Sequence, residues 1–154
     1  MRGLLAEFVP LCHASEIAIW AKVPGEEELA AFIDTAGPDG AIEMKVTQPL
    51  SEGIVSQVYR DQAEYRDKGL WRNRQHSSLV DQAVHQRTQN EMCVPFHFAG
   101  QRLGVMSAVQ LVDGKHANPA RWGFDDQDLD LLKLAALAVS QSMERAFLAK
   151  RLRA

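Results

Sequence analysis

Met92 to Val112 reads MCVPFHFAGQRLGVMSAVQLV. Met92 to Phe98 is an apolar run of strand-forming residues, and Leu103 to Val112 is a second one. Ala99-Gly100-Gln101 between them predicts a hairpin turn. The centre of the chain's second half is therefore an antiparallel pair of strands.

Downstream, Gly114, Asn118-Pro119 and Gly123 mark a loop. Asp125 then suits a helix N-cap, with Asp128 in the capping-box position. Asp126, Asp128 and Asp130 match the positive end of a helix dipole, and Arg145, Lys150, Arg151 and Arg153 match the negative end. A helix from Asp126 to Arg153 would be roughly 40 Å long, more than a small domain is wide. Leu132, Ala136, Val139, Met143 and Ala146 recur every three or four residues along it. The expectation is a helix whose distal part projects. Its apolar stripe would need a partner, either a second helix in a dimer or a continuation into another domain.

Upstream, Leu4, Leu5, Phe8, Val9 and Cys12 share one helical face, with Pro10 placed to kink or end the helix. Glu16 to Val23 predicts a strand that is apolar on both faces and so sits deep in a sheet. Pro24-Gly25 turns the chain into a return strand, Leu29 to Asp34. Ala41 to Thr47 alternates apolar and polar residues, which predicts a strand with one wet face. Ile54, Val55, Val58 and Tyr59 have helical spacing. Arg60 to Gln75 is polar and mixed in charge, without a period, and a short helix is expected from Leu79 to about Gln86. Meandering strands between terminal helices predict an α+β fold with an antiparallel sheet.

The 154 residues suit one domain, and 46 % hydrophobic with 24 % charged residues is an ordinary globular balance. The net charge of −3 lacks the basic excess of a nucleic-acid binder. No run reaches the ~20 apolar residues of a membrane span, and Glu7 interrupts any leader-like start. Two cysteines, Cys12 and Cys93, are too few for a disulfide framework. Both sit among apolar neighbours, so two reduced, buried thiols in a cytoplasmic protein are expected.

Four stretches, taken in order, resemble the GAF domain, a small-molecule sensing and dimerisation module of signalling proteins. The first is Gln48-Pro49-Leu50-Ser51-Glu52-Gly53-Ile54-Val55-Ser56-Gln57-Val58. The second joins Val80-Asp81, Arg87-Thr88 and Met92-Cys93-Val94-Pro95-Phe96. The third is Gly100 to Met106, and the fourth is Phe124 to Leu132. The resemblance implies a six-stranded antiparallel sheet, profilin- or PAS-like, with the N- and C-terminal helices on one face. It implies a lid over a pocket on the other face, formed by the unassigned middle of the chain. The layout expected is a single GAF domain over 1–154, with a helix in 1–13, sheet and lid in 15–112 and the long helix in 125–153.

The chemistry expected is binding rather than catalysis. Cys93 and His97 point to one strand face but are only two donors, so no metal site is expected. The family's free methionine sulfoxide reductases use cysteines around the pocket, and here those regions hold Val55, Ser56 and Ala83 to Arg87. The bilin-type Cys-His pair occurs only as Cys12-His13, outside the lid. His76 and His85 are lone histidines for a haem. Of the cyclic-nucleotide pattern, Phe124 and Asp128 are present while its Asn, Lys and Glu are not. No cofactor is identified by the residues.

The expected ligand-lining residues are Trp71 for stacking, Arg72 for a carboxylate or phosphate, and His85 and Thr88 for hydrogen bonds. Asp81 is expected to order the lid through backbone amides. The function implied is a regulatory domain in signal transduction that takes a small molecule, dimerises through its terminal helices and acts on an output domain or a partner signalling protein. A structural dimerisation module without ligand, and a small redox enzyme, are the alternatives.

Overall fold

A computed structural model of the chain describes residues 2–34, 46–66, 88–112 and 116–154. Six antiparallel strands form one sheet in the order β3-β2-β1-β6-β5-β4. They are β1 (Glu16–Lys22), β2 (Glu28–Asp34), β3 (Thr47–Pro49), β4 (Tyr65–Arg66), β5 (Thr88–Phe98) and β6 (Gln101–Leu111). The helices are α1 (Arg2–Leu11), α2 (Ile54–Asp61) and α3 (Asp126–Arg153). The first strand meets the last near the middle of the sheet, so β1 is covered on both faces, as its doubly apolar sequence requires.

Side-chain alternation splits the core into two layers. Ile17, Ile19, Met92, Val94, Phe96, Met106 and Ala108 face α1 and α3, where Leu5, Cys12, Leu129, Leu132, Ala136 and Val139 meet them. Trp20, Leu29, Cys93 and Val105 face the other way and pack on Ile54, Val55, Val58 and Tyr59 of α2. The two cysteines are therefore on opposite sides of the sheet, and both are buried and free.

Gly104 makes the middle of the sheet possible. A Cβ on it would lie 1.7 Å from the Trp20 carbonyl oxygen. Gly53 has a different task. It caps α2 at φ 86°, and the Gln48 amide crosses the space its Cβ would fill, 2.1 Å away. That amide donates to the Glu52 carbonyl at 2.9 Å and the Ser56 hydroxyl at 3.1 Å. The Ser56 hydroxyl in turn donates to the Pro49 carbonyl at 2.7 Å, which ties β3 to α2.

The hairpin loop is Ala99-Gly100, with φ of 49° and 73°, and Gln101 already belongs to β6. Two positive φ values give the turn that matches strand twist, but alanine pays a steric cost there. Ala99→Asn is expected to raise stability by about 0.5–1 kcal/mol. An unchanged denaturation midpoint in urea would show that the alanine is not strained.

The start of α3 is held by a dense set of polar bonds. The Asp128 amide donates to Asp125 Oδ1 at 2.9 Å, and the Asp125 amide donates to Asp128 Oδ2 at 2.8 Å, completing the expected capping box. Asp128 is almost wholly buried and also accepts from Arg121 at 2.6 Å and pairs with His13 Nδ1 at 2.8 Å. The Asp128 amide is the main reason the Asp125 carboxyl is held below the usual carboxylate range. Gln110 is fully buried beside this cluster. Its Nε2 donates to the carbonyls of His13 and Arg121, and its Oε1 accepts from the Asn90 amide and the Gly123 N–H. All four hydrogen-bonding positions of that side chain are used.

The apolar stripe expected on α3 turns out to be the domain's own packing face. Leu132, Ala136 and Val139 are buried, Met143 is packed against the same core and only Ala146 is exposed. A second stripe, Leu134, Leu137, Leu148 and Leu152, lies on the opposite side of the helix and is exposed by 52, 55, 58 and 87 %. The β5–β6 turn clasps α3 further along. Phe98 meets Phe147 edge to face with centroids 6.0 Å apart, and the Ala99 amide donates to Glu144 at 2.7 Å.

Candidate functional site

The face of the sheet away from α1 and α3 carries the candidate site. Register places Glu91, Cys93 and Pro95 of β5 on it, opposite Val109, Ser107 and Val105 of β6. Ala18 and Trp20 of β1 extend it, opposite the same Ser107 and Val105. A bulge between Thr88 and Asn90 shifts the alternation, so Thr88, opposite Leu111, joins this face although it is three residues from Glu91.

Polar groups are set into this otherwise apolar floor. Glu91 is only 6 % exposed, and its Oε1 accepts from the Cys93 thiol at 3.4 Å. Ser107 is buried and accepts from the Trp20 indole N–H at 2.9 Å. A buried carboxylate needs partners, and placing one in the middle of a sheet is costly. α2 closes one side of the floor through Tyr59, whose ring lies 4.8 Å from the Arg102 guanidinium. The end of α2 is fixed by Gln62, whose amide oxygen meets His97 Nε2 at 3.0 Å.

Of the expected ligand-lining residues, Thr88 is buried at the start of β5. Trp71, Arg72 and His85 lie outside the described residues, as do Asp81, His76 and the helix expected from Leu79 to Gln86. Glu91, Ser107 and Trp20 were not singled out in the sequence. The signal for Glu91 was available, since it is the one charge in the run from Thr88 to Phe96.

Neither thiol is prepared for nucleophilic work. Burial, then the Glu91 carboxylate, push the Cys93 thiol well above its ordinary range. Burial, then Asp128, push Cys12 up to about 12. Reaction requires the thiolate, which these surroundings suppress at neutral pH. Below about pH 8.5 both folded and unfolded chains hold these protons, and stability is independent of them. As pH rises further the unfolded chain ionises first, so stability is expected to fall toward pH 12. Alkylation at pH 8 is expected to be slow in the native protein and fast in urea. Rapid native labelling of Cys93 would contradict its burial.

Among the described residues, no group of three or more His, Cys, Asp or Glu is placed to hold a metal ion. Among the same residues, no helix is long and apolar enough to cross a membrane.

The family model described as "GAF domain" matches residues 1–144. The chain belongs to the GAF domain family. The match ends where α3 leaves the core, one residue after Met143. The GAF domain of an Acinetobacter phosphoenolpyruvate-protein phosphotransferase has the same fold, with a TM-score of 0.69 at 11 % identity over 96 % of this chain and 82 % of that one. The PixJ GAF domain of Thermosynechococcus elongatus, in its blue-light absorbing form, gives 0.67 at 15 % identity over 98 % and 86 %. The free methionine-R-sulfoxide reductase of Neisseria meningitidis, solved with its substrate, gives 0.66 at 17 % identity over 100 % and 79 %. At these identities the likeness concerns fold alone. A sequence comparison with curated proteins gives no match. GAF domains are typical of signalling sensor proteins, and this one has the family's sheet, terminal helices and two-layer core.

Proposed function

We propose that this GAF domain is a non-catalytic regulatory module of a cytoplasmic signalling protein that takes a small molecule against the sheet face bearing Glu91, Cys93 and Ser107. The observation that supports the reading is polar: the Glu91 carboxyl and the Ser107 hydroxyl are set into the floor of an otherwise apolar layer, which puts hydrogen-bonding groups on the face a ligand would meet. Thr88 would add a hydroxyl from the edge of the floor. Trp71, Arg72 and His85 would supply stacking, a cationic fork and a ring nitrogen from residues 67–87, which connect β4 to β5. The ligand would thus be a small planar molecule with a hydrogen-bond donor for Glu91 and an anionic group for Arg72. Binding alters output only if it favours one arrangement of the chain over another.

Native mass spectrometry of the protein purified from its own host tests this reading. A retained small molecule is expected, and it should be lost from a Trp71→Ala, Arg72→Ala variant whose circular dichroism is unchanged. Ligand-free protein would sink the sensing part. A redox role is opposed by the suppressed thiolates. Turnover of free methionine sulfoxide that Cys93→Ser abolishes would restore it.

We also propose that the domain forms a homodimer through its terminal helices and so reaches an output domain or partner. Support comes from the outward stripe of α3, which nothing within the chain's described residues covers. The same stripe supports the second reading, a dimerisation module that uses no ligand. Sedimentation equilibrium is expected to show a dimer, and a monomer at high concentration would remove both.

A further inference from the structure

A recess of about 370 Å³ opens where β5 begins and β6 ends, beside the segment that leads into α3. Gln89, Asn90, Val112, Trp122 and Gly123 line it. It is not part of the sheet face described above. Asn90 is two residues from Met92 and shares its side of the sheet, toward α1 and α3, whereas Glu91 and Cys93 point the other way.

The polar wall of the recess has one unfilled place. Asn90 is 2 % exposed, and its Oδ1 is buried and accepts no hydrogen bond among the described residues. The network around it fixes which way the amide points. Gln110 Nε2 donates to two carbonyls, so Gln110 Oε1 must be the atom that accepts the Gly123 N–H at 2.8 Å. Asn90 must then turn Nδ2 to that same oxygen, also at 2.8 Å, which leaves Oδ1 as its end for an occupant. A buried acceptor without a partner is costly, and a bound donor relieves that cost.

The rest of the wall selects the kind of molecule. Val112 and Trp122 are exposed and apolar, and an indole face suits a planar ring. None of the described lining residues carries a charge, so an ionic group would lose its hydration there without replacement. The volume is within the range of small-molecule pockets.

We propose that this recess is a second binding site, for a neutral planar heterocycle that stacks on Trp122 and donates a ring N–H to Asn90 Oδ1. Its occupant would lie between the start of β5 and the entry to α3. The proposal does not rest on the sheet-face site, and either can fail alone.

Titration of the isotopically labelled full chain with indole, followed by proton–nitrogen correlation spectra, tests it. Saturable shifts are expected at the Gly123 amide and the Trp122 ring N–H. Benzofuran has nearly the same shape with oxygen in place of the ring N–H, and it is expected to bind about tenfold more weakly. Trp122→Ala replaces an exposed side chain and is expected to weaken indole binding by about tenfold while the other resonances stay dispersed. Absence of saturable shifts up to the solubility limit of indole would overturn the site. Equal affinity for indole and benzofuran would overturn the role of Asn90 and with it the ligand class. Shifts at Glu91 and Ser107 with none at Gly123 would overturn the recess and leave the sheet-face reading standing.

Discussion

Gly104→Ala is expected to leave little folded protein at 25 °C. The added methyl carbon would sit 1.7 Å from the Trp20 carbonyl oxygen, about half the separation that a carbon and an oxygen in contact require. The obstacle is backbone of the neighbouring strand, so no side-chain rotation relieves it. β1 and β6 would have to part at Ala21 and Gly104, next to the Trp20–Ser107 bond, or the pairing would have to slip. A one-residue slip turns both layers of the core inside out. A loss of about 4 kcal/mol or more is expected, against a total of about 5–15 kcal/mol for a domain of this kind. Urea denaturation measures it. Gly3→Ala is the control: nothing lies within 4 Å of its Cβ position in α1, and up to about 1 kcal/mol of stabilisation is expected from helix propensity. If the two substitutions act alike, the close approach at Gly104 is not what sets the sheet.

Asp128→Ala is expected to cost about 3–5 kcal/mol, because it strands several donors at once. His13 Nδ1, the Arg121 guanidinium and the Asp125 amide would all lose their common acceptor. The capping box would lose one of its two bonds, worth about 1 kcal/mol by itself. Asp128→Asn keeps the shape but turns one acceptor oxygen into an N–H₂ that faces donors, so a loss of about 2 kcal/mol remains. A double variant with His13→Ala is expected to be less than additive, since the two side chains are in contact. Strict additivity in thermal denaturation would show that the His13 contact carries no coupling.

The strongest elements of the fold were legible in the sequence. The β5–β6 hairpin, the central place of β1 and the capped start of α3 each follow from a local pattern that packing reinforces. β5 nonetheless begins at Thr88, four residues before the apolar run. Its polar start is paired by side chains, above all Asn90 with Gln110, and such partners come from distant segments that no period reveals. β4 was invisible for a related reason. Only Tyr65 and Arg66 pair with β5, and the Arg66 side chain secures them by donating to the Phe124 carbonyl and Asp126. The strand expected over Ala41 to Thr47 lies mostly outside the described residues, and the described strand there is Thr47–Pro49. On α3 a period was found correctly but given the wrong role, because the helix carries two apolar stripes and periodicity does not say which one its own sheet takes. At the candidate site, Thr88 lies on the buried face, and Glu91 and Ser107 read as ordinary polar positions until register put them there too.

Two polar ties bracket the stretch of α3 that packs on the sheet through Leu132, Ala136 and Val139. Asp128 is its fixed end, and the Ala99–Glu144 bond is a second point about 24 Å along, at 1.5 Å per residue. Arg153 lies about 38 Å from the fixed end on the same scale. The strands that end in that turn are the ones that carry Glu91, Cys93 and Ser107, so one hairpin joins the face of the candidate site to the far half of α3.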